Sequence, residues 1–164
     1  MPRIYVATLG QRPEAITVAF DLLNEKYHYE AVAVLHTEPN ISGIARAYSQ
    51  LNTVFERDYP GLAVRFHELT YADGTPLVDI DNQFSAEAYH RAVLETIFQY
   101  RERDWHIHLM LAGGRKAMSI YAMLAASVFF DPPKDRVWTV LSPEALIAQE
   151  EQFHIPPGMR DQVQ

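Results

Sequence analysis

The sequence predicts an α/β domain with a Rossmann-like, mainly parallel sheet and helices on both of its faces. Five short runs rich in β-branched and aromatic residues alternate with longer stretches in which apolar residues recur at helical spacing. Such β-α alternation is typical of parallel sheets covered by helices. The length of 164 residues and the apolar content of 48% suit one globular domain spanning residues 1–164.

Three strands and two helices are predicted in the first half of the chain. The strands are expected at Arg3–Thr8, Glu30–Leu35 and Leu62–Leu69. Pro13 suits the first turn of the helix between the first two strands, because its missing N–H is not needed there. Ser42 is expected to cap the next helix, which Pro60 and Gly61 end.

The second half begins with one long irregular segment, Tyr71–Gln83, and a loop of this length is more often functional than merely connecting. Ser85 is expected to cap the helix that follows. Further strands are predicted at Trp105–Leu111 and Val137–Leu141, with a helix starting near Arg115 between them. Residues 142–164 are predicted to form a weakly structured tail.

Composition excludes several classes of function. The net charge of −7 argues against broad binding to long nucleic acids, and the absence of cysteine excludes disulfides and thiolate metal sites. No run reaches the ~18 apolar residues of a membrane span, and the first ten residues resemble a strand rather than a signal peptide. We therefore expect a cytoplasmic protein without a membrane partner.

Two glycines and two cations, Gly113, Gly114, Arg115 and Lys116, follow the predicted fourth strand and begin a helix. Glycine allows close backbone approach, and a helix N-terminus offers unpaired N–H groups. Cations there oppose the helix dipole by roughly 0.3–1 kcal/mol each, so a bound anion would explain them. The alternative is a tight turn with two solvated cations.

A second strand-to-helix corner follows the predicted first strand. Thr8, Leu9, Gly10, Gln11 and Arg12 supply a hydroxyl, an amide, a glycine and a third cation. A plain capped helix start is the alternative interpretation. If the first and fourth strands are neighbours, both corners would face one anionic ligand at a topological switch point of the sheet. Neither corner matches a Walker loop or the G-x-G-x-x-G fingerprint.

Other candidate residues are weaker. His36 and Thr37 end the second strand and could reach the same cleft. Two further sets could hold a metal ion but more readily fit buried histidines and solvated loop residues: His106 with His108, and Asp79 with Asp81 and Asn82. No Ser-His-Asp set is legible, so nothing indicates a triad nucleophile. Because the chain has no cysteine and no legible set of three metal ligands, we expect no metal and no cofactor.

Several segments together resemble the CARF domain, the CRISPR-associated Rossmann fold of type III CRISPR systems. They are "VATLGQRPEAIT", "HTEP", "DIDNQ", "LAGGRKAMSIYAMLA" and "VWTVLSPEAL…FHIPP", and their order fits from Arg3 to Pro157. The resemblance implies a homodimer that binds cyclic oligoadenylate, commonly cyclic tetra-adenylate, across its two-fold axis. His36 departs from the family, which often carries paired hydroxyls at that position.

The resemblance also implies site residues and an activity. Expected catalytic residues are Lys116, Arg115, Thr8 and Gln11, and expected ligand-binding residues are Leu9, Gly10, Arg12, His36, Thr37, Gly113, Gly114, Met118 and Ser119. Because no second domain is expected after Pro157, the chain resembles the ring nucleases, which cleave the cyclic messenger and switch off type III signalling. We expect this cleavage to be independent of metal and to give linear products with a 2′,3′-cyclic phosphate. A non-catalytic sensor or sequestering module is one alternative, and a domain outside this family that binds a mononucleotide is another.

Overall fold

Five parallel strands form a single sheet in the order β3-β2-β1-β4-β5 in the computed structural model, which describes residues 1–112, 115–141 and 149–164. The strands are β1 (Arg3–Thr8), β2 (Ala31–His36), β3 (Ala63–Glu68), β4 (His106–Met110) and β5 (Arg136–Trp138). The predicted parallel α/β sheet is therefore confirmed, with the fifth strand shorter than the sequence suggested.

Helices cover both faces of this sheet. They are α1 (Glu14–Tyr27), α2 (Pro39–Ser42), α3 (Ala45–Asp58), α4 (Gln83–Arg101) and α5 (Lys116–Phe129), followed by a 3₁₀ turn at Arg160–Gln162. Along β1, Ile4 and Val6 join the core beneath α4 and α5, whereas Tyr5 and Ala7 join the core beneath α1 and α3. The alternation of side chains along a strand thus feeds two separate apolar cores.

Two helix starts differ from the prediction. Ser42 is the last residue of the short helix α2 and does not cap α3, which follows Ile44. Asn82, not Ser85, caps α4: its side chain accepts a hydrogen bond from Ser85 N at 2.9 Å, while Ser85 Oγ accepts one from Asn82 N at 3.1 Å. Ser85 is therefore the third residue of a reciprocal capping box, a position that a single-residue cap rule overlooks.

The central strand β1 brings distant segments together. It pairs with β2 on one side and with β4 on the other, where Arg3 lies opposite His106 and Ala7 opposite Met110. The carboxyl ends of β1 and β4 are consequently neighbours at the point where the strand order reverses. This is the position at which open α/β sheets bind ligands.

The described part of the tail, 149–164, packs against α1. The Thr17 hydroxyl donates to Phe153 O at 2.6 Å, and Glu151 N donates to Glu14 Oε1 at 2.9 Å. Phe153 itself is buried. The segment has little regular secondary structure, yet side chains far away in sequence hold it, a feature that periodicity does not reveal. Residues 142–148 lie outside the described part of the chain.

His154 fastens this tail to two helices. Its Nδ1 lies 2.8 Å from Asp21 Oδ2 of α1, and its Nε2 lies 2.9 Å from Asp58 Oδ2 of α3. Arg57 also pairs with Asp58, and the ring of Tyr59 lies beside the imidazole. Partial burial opposes protonation, but the two carboxylates outweigh it and raise the pKa of His154 above its ordinary value.

We expect this contact to stabilise the fold most at low pH. Since the folded pKa is raised, the stabilisation is complete below the ordinary histidine value of about 6.5 and is lost as the pH rises through the higher folded value. Melting temperatures of the wild type and His154→Asn should therefore differ most near pH 5.5 and converge in alkaline buffer. His28→Asn, which changes an exposed histidine at a left-handed position that asparagine tolerates, is the matched control. A gap between wild type and His154→Asn that is constant with pH would contradict this assignment.

Candidate ligand site

A cleft of about 470 Å³ lies beyond the carboxyl ends of β1 and β4. We call it the switch-point cleft. Its lining residues are Leu9, Gly10, Gln11, Arg12, Thr37, Ser42, Ile44, Val78, Asp79, Ala112, Arg115 and Met118. Residues from both predicted corners thus line one cavity, as expected if β1 and β4 were neighbours.

The β1 corner is held by the sheet. Leu9 N donates to Leu35 O at 2.9 Å, which extends the pairing with β2 by one residue, and Leu9 and Gly10 are buried. Gln11 and Arg12 follow at the exposed rim, with Arg12 Nε 3.5 Å from Glu14 Oε2. The backbone of this corner is therefore fixed, while its polar side chains face solvent.

The α5 corner places two cations at a helix N-terminus. Arg115 precedes the helix in an extended conformation, with φ −67° and ψ 151°, and Lys116 is the first helical residue. The first turn of α5 contains no acidic side chain, so nothing within that turn offsets the positive end of the dipole. Gly113 and Gly114, both expected to bind ligand, lie outside the described residues.

The long loop between β3 and α4 supplies a third wall. Leu77 is fully buried, its N–H donates to Leu69 O at 2.9 Å, and its carbonyl accepts from Glu38 N at 2.8 Å. This anchoring brings Val78 and Asp79 to the cleft, where the Asp79 carboxylate pairs with the Arg115 guanidinium. The sequence offered this loop as a functional candidate by its length, but gave no indication of the partner of Asp79.

His36 and Thr37 are separated by the alternation of the strand. Thr37 lines the switch-point cleft, whereas His36 lines a different depression with Tyr48 and Phe66. His36 Nδ1 lies 2.8 Å from Thr37 O, and burial lowers the pKa of the ring despite that hydrogen bond. The expectation that His36 enters the switch-point cleft is therefore not met, because the side chains of consecutive residues point to opposite faces.

Three other predicted residues lie at different depths. Thr8 is only 1% exposed, does not line the cleft, and its Oγ1 has no hydrogen-bond partner within residues 1–112, 115–141 and 149–164. Met118 is buried and lines the cleft, whereas Ser119, on the next position of α5, is partly buried and does not. Neither Thr8 nor Ser119 therefore lines the switch-point cleft.

The weaker metal candidates do not assemble. Across the described ranges, no group of three or more histidine and carboxylate side chains is placed to hold a metal ion. His108 is buried, with Nδ1 2.7 Å from the Tyr29 hydroxyl, and burial lowers its pKa to about 4. His106 and His108 are therefore half-buried and buried strand residues, the interpretation the sequence favoured.

No helix in the described ranges is both long enough and apolar enough to span a bilayer.

Solved structures of other proteins share this fold, and the profile of one protein family matches the sequence. A search of curated proteins gave no significant match. Among solved structures, protein VC1899 from Vibrio cholerae is similar with a TM-score of 0.56 and 13% identity over 84% of this chain. A second, a type III CRISPR defence DNA nuclease activated by cyclic oligoadenylate, has a TM-score of 0.52 and 13% identity over 85% of this chain.

These likenesses confirm the Rossmann-like fold. The chain matches only 30% of the first of those two proteins and 18% of the second, so it corresponds to one part of each. The sequence profile of the CRISPR-associated protein NE0113 family matches residues 12–164, which include Arg12 of the first corner, all of the second corner and the tail. The chain therefore belongs to the CRISPR-associated NE0113 family.

Proposed function

We propose that this protein binds cyclic oligoadenylate, with cyclic tetra-adenylate as the first candidate, in the switch-point cleft of a homodimer and cleaves it. The observation that carries the proposal is the joining of two corners, distant in sequence, into one cleft with Arg12 on one side and Arg115 on the other. The similarity to a nuclease activated by cyclic oligoadenylate supports the choice of ligand.

The charge of the cleft suits such a ligand. A cyclic tetra-adenylate carries four phosphodiester charges in a compact ring. A dimer would present twice the Arg12 and Arg115 that line the cleft, and also Lys116, which is exposed next to Arg115 but does not itself line the cleft. Charge-assisted hydrogen bonds to phosphate are roughly twice as strong as neutral ones. The net charge of −7 over the whole chain meanwhile disfavours long nucleic acids, which supports selection of a small anionic ring.

A smaller cavity of about 290 Å³ adjoins the cleft and shares Arg12 and Ala112 with it. Its walls include Val18, Met110 and Val140, together with Gln152 of the tail. An apolar wall beside a charged cleft suits a ligand that carries aromatic bases next to its phosphates.

An exposed apolar stripe on α5 supports the dimer. Ile120, Met123, Leu124 and Val128 are 59%, 57%, 50% and 60% exposed, and their spacing places them on one side of the helix. No charged residue follows Lys116 in α5. Exposed apolar patches of this kind mark interaction sites, and a stripe on one helix can pack against the same stripe of a second copy across a two-fold axis.

The proposed cleavage uses the ligand's own nucleophile. A ribose 2′-oxygen attacks the adjoining phosphorus and loses its proton, the P–O5′ bond breaks, and O5′ takes up a proton as the leaving group. The products are linear and end in a 2′,3′-cyclic phosphate. Lys116 and Arg115 stabilise charge on the phosphoryl oxygens, and Gln11 at the rim orients a ribose or phosphate oxygen.

Binding without cleavage is the second candidate, and one observation favours it. Among the described residues that line the cleft, Asp79 is the only side chain that could act as a general base, and it pairs with Arg115. His36, the other candidate base, lines a separate depression. Without a free base, cleavage would depend on positioning and charge alone and should be slow.

Incubation of the protein with cyclic tetra-adenylate and EDTA, followed by chromatography, separates these candidates. We expect slow conversion to linear products, undiminished by the chelator, because the proposed mechanism uses cationic side chains rather than a metal. Uncleaved ligand that co-elutes with the protein would support the sensor instead. Activity lost in EDTA and restored by Mg²⁺ or Mn²⁺ would overturn the proposed mechanism.

A further inference from the structure

We infer that Asp79 is a specificity-determining residue, which makes the switch-point cleft prefer internal phosphodiesters to terminal phosphomonoesters. The inference rests on the proposed function, because it concerns the ligand of that same cleft. It adds a discriminating negative charge to a site that the sequence presents as purely cationic.

Asp79 is fixed at both of its carboxylate oxygens. Oδ1 accepts a hydrogen bond from Ile80 N at 2.7 Å, and Oδ2 pairs with the Arg115 guanidinium. Leu77, two residues before Asp79, and Ile80, the next residue, are 0% and 7% exposed, so the loop is anchored in the core on both sides of Asp79. The carboxylate therefore has little freedom to swing away when an anion enters.

Arg115 nevertheless stays within reach of a ligand. Its side chain is 60% exposed and that of Asp79 is 37% exposed, and both line the cleft. A guanidinium has five N–H donors, so pairing with one carboxylate leaves others for a phosphate. Any phosphate that uses them then lies beside a fixed negative charge.

This arrangement distinguishes two kinds of phosphate. An internal phosphodiester carries one negative charge, whereas a terminal phosphomonoester carries about −1.5 to −2 at pH 7. Repulsion from Asp79 is proportional to the charge that approaches it, so the terminal group is penalised more. A cyclic oligoadenylate has internal phosphodiesters only, whereas linear oligoadenylates with a 5′- or 3′-phosphate and nucleoside triphosphates do not.

The test compares affinities for cyclic tetra-adenylate and for linear tetra-adenylate with a 5′-phosphate, at low salt and pH 7.5, in the wild type and Asp79→Asn. We expect the wild type to bind the ring more tightly than the linear ligand. In Asp79→Asn the ratio of the two affinities should fall by about tenfold, because the repulsion of roughly one additional unit charge by the carboxylate is lost. The narrowing should shrink at high salt. Asp73→Asn removes the same charge from the same loop at a residue that does not line the cleft, and should keep the wild-type preference.

The outcomes separate this inference from the proposed function. If the wild type binds the ring but Asp79→Asn keeps the same preference, the inference fails and the proposed function stands. If the wild type binds neither oligoadenylate, the proposed function fails and the inference with it. Asp79→Ser provides a second uncharged variant, and melting curves of both variants check that the loop remains folded.

Discussion

Lys116→Ala is expected to weaken binding of cyclic tetra-adenylate by about tenfold to a hundredfold. Lys116 is the first residue of α5, where a bound phosphate would contact both unpaired backbone N–H groups and this ammonium. A hydrogen bond to a charged group contributes about 1.5–3 kcal/mol, which corresponds to that range of affinity. Isothermal titration calorimetry with the wild type and the variant measures the difference in affinity for cyclic tetra-adenylate.

Stability and turnover distinguish a binding role from a structural one. Loss of a cation from the positive end of α5 should leave the melting temperature unchanged or slightly raised. If the contact strengthens as charge develops on the phosphoryl oxygens, the single-turnover rate should fall further than the affinity does. Lys134→Ala, which removes a lysine paired with Asp131 away from the cleft, is the control. Unchanged affinity and rate in Lys116→Ala would identify Gly-Gly-Arg-Lys as a plain turn.

Leu124→Asp is expected to convert a dimer into a monomer and to abolish measurable ligand binding. Leu124 is in the middle of the exposed stripe on α5, and a carboxylate buried against apolar side chains of a second copy would lose its hydration without a partner. Half a cleft would then hold only half of the cationic contacts to the ring. Light scattering at micromolar concentration and titration with cyclic tetra-adenylate measure both effects.

The control for this variant changes an apolar side chain that is equally accessible but lies elsewhere. Ile41 in α2 is 73% exposed, so Ile41→Asp introduces the same charge without touching α5, and should leave the oligomeric state unchanged. A Leu124→Asp protein that remains dimeric would place the interface on another surface. A wild-type protein that is monomeric at micromolar concentration would argue against the two-fold site altogether.

The strands were predictable from sequence because their composition is local information. Each of the five runs carries β-branched or aromatic residues, and the glycine and proline around them set approximate limits. The sequence predicted that the two corners meet only if the first and fourth strands are neighbours, because their meeting depends on the pairing of β1 with β4. Strand order is a property of the whole chain, and no local pattern encodes it.

The details that escaped prediction depend on side-chain direction and loop path. His36 and Thr37 are adjacent, and sequence alone did not show which of them faces the cleft. Asp79 meets Arg115 because the burial of Leu77 and Ile80 fixes the path of a loop without periodicity. The contacts of the tail with Thr17 likewise join residues more than a hundred positions apart, where spacing rules have no reach.

The central position of β1 also determines when the cleft can form during folding. Pairing of β1 with β2 closes a short segment, but pairing of β1 with β4 joins Arg3 to His106, about 100 residues later. Closing so long a segment costs more chain entropy, and contacts of high sequence separation form slowly. The β1–β2–β3 half should therefore gain hydrogen-exchange protection before the β4 amides do, and a chain emerging from the ribosome would acquire its ligand site only after α4 and β4 have been synthesised.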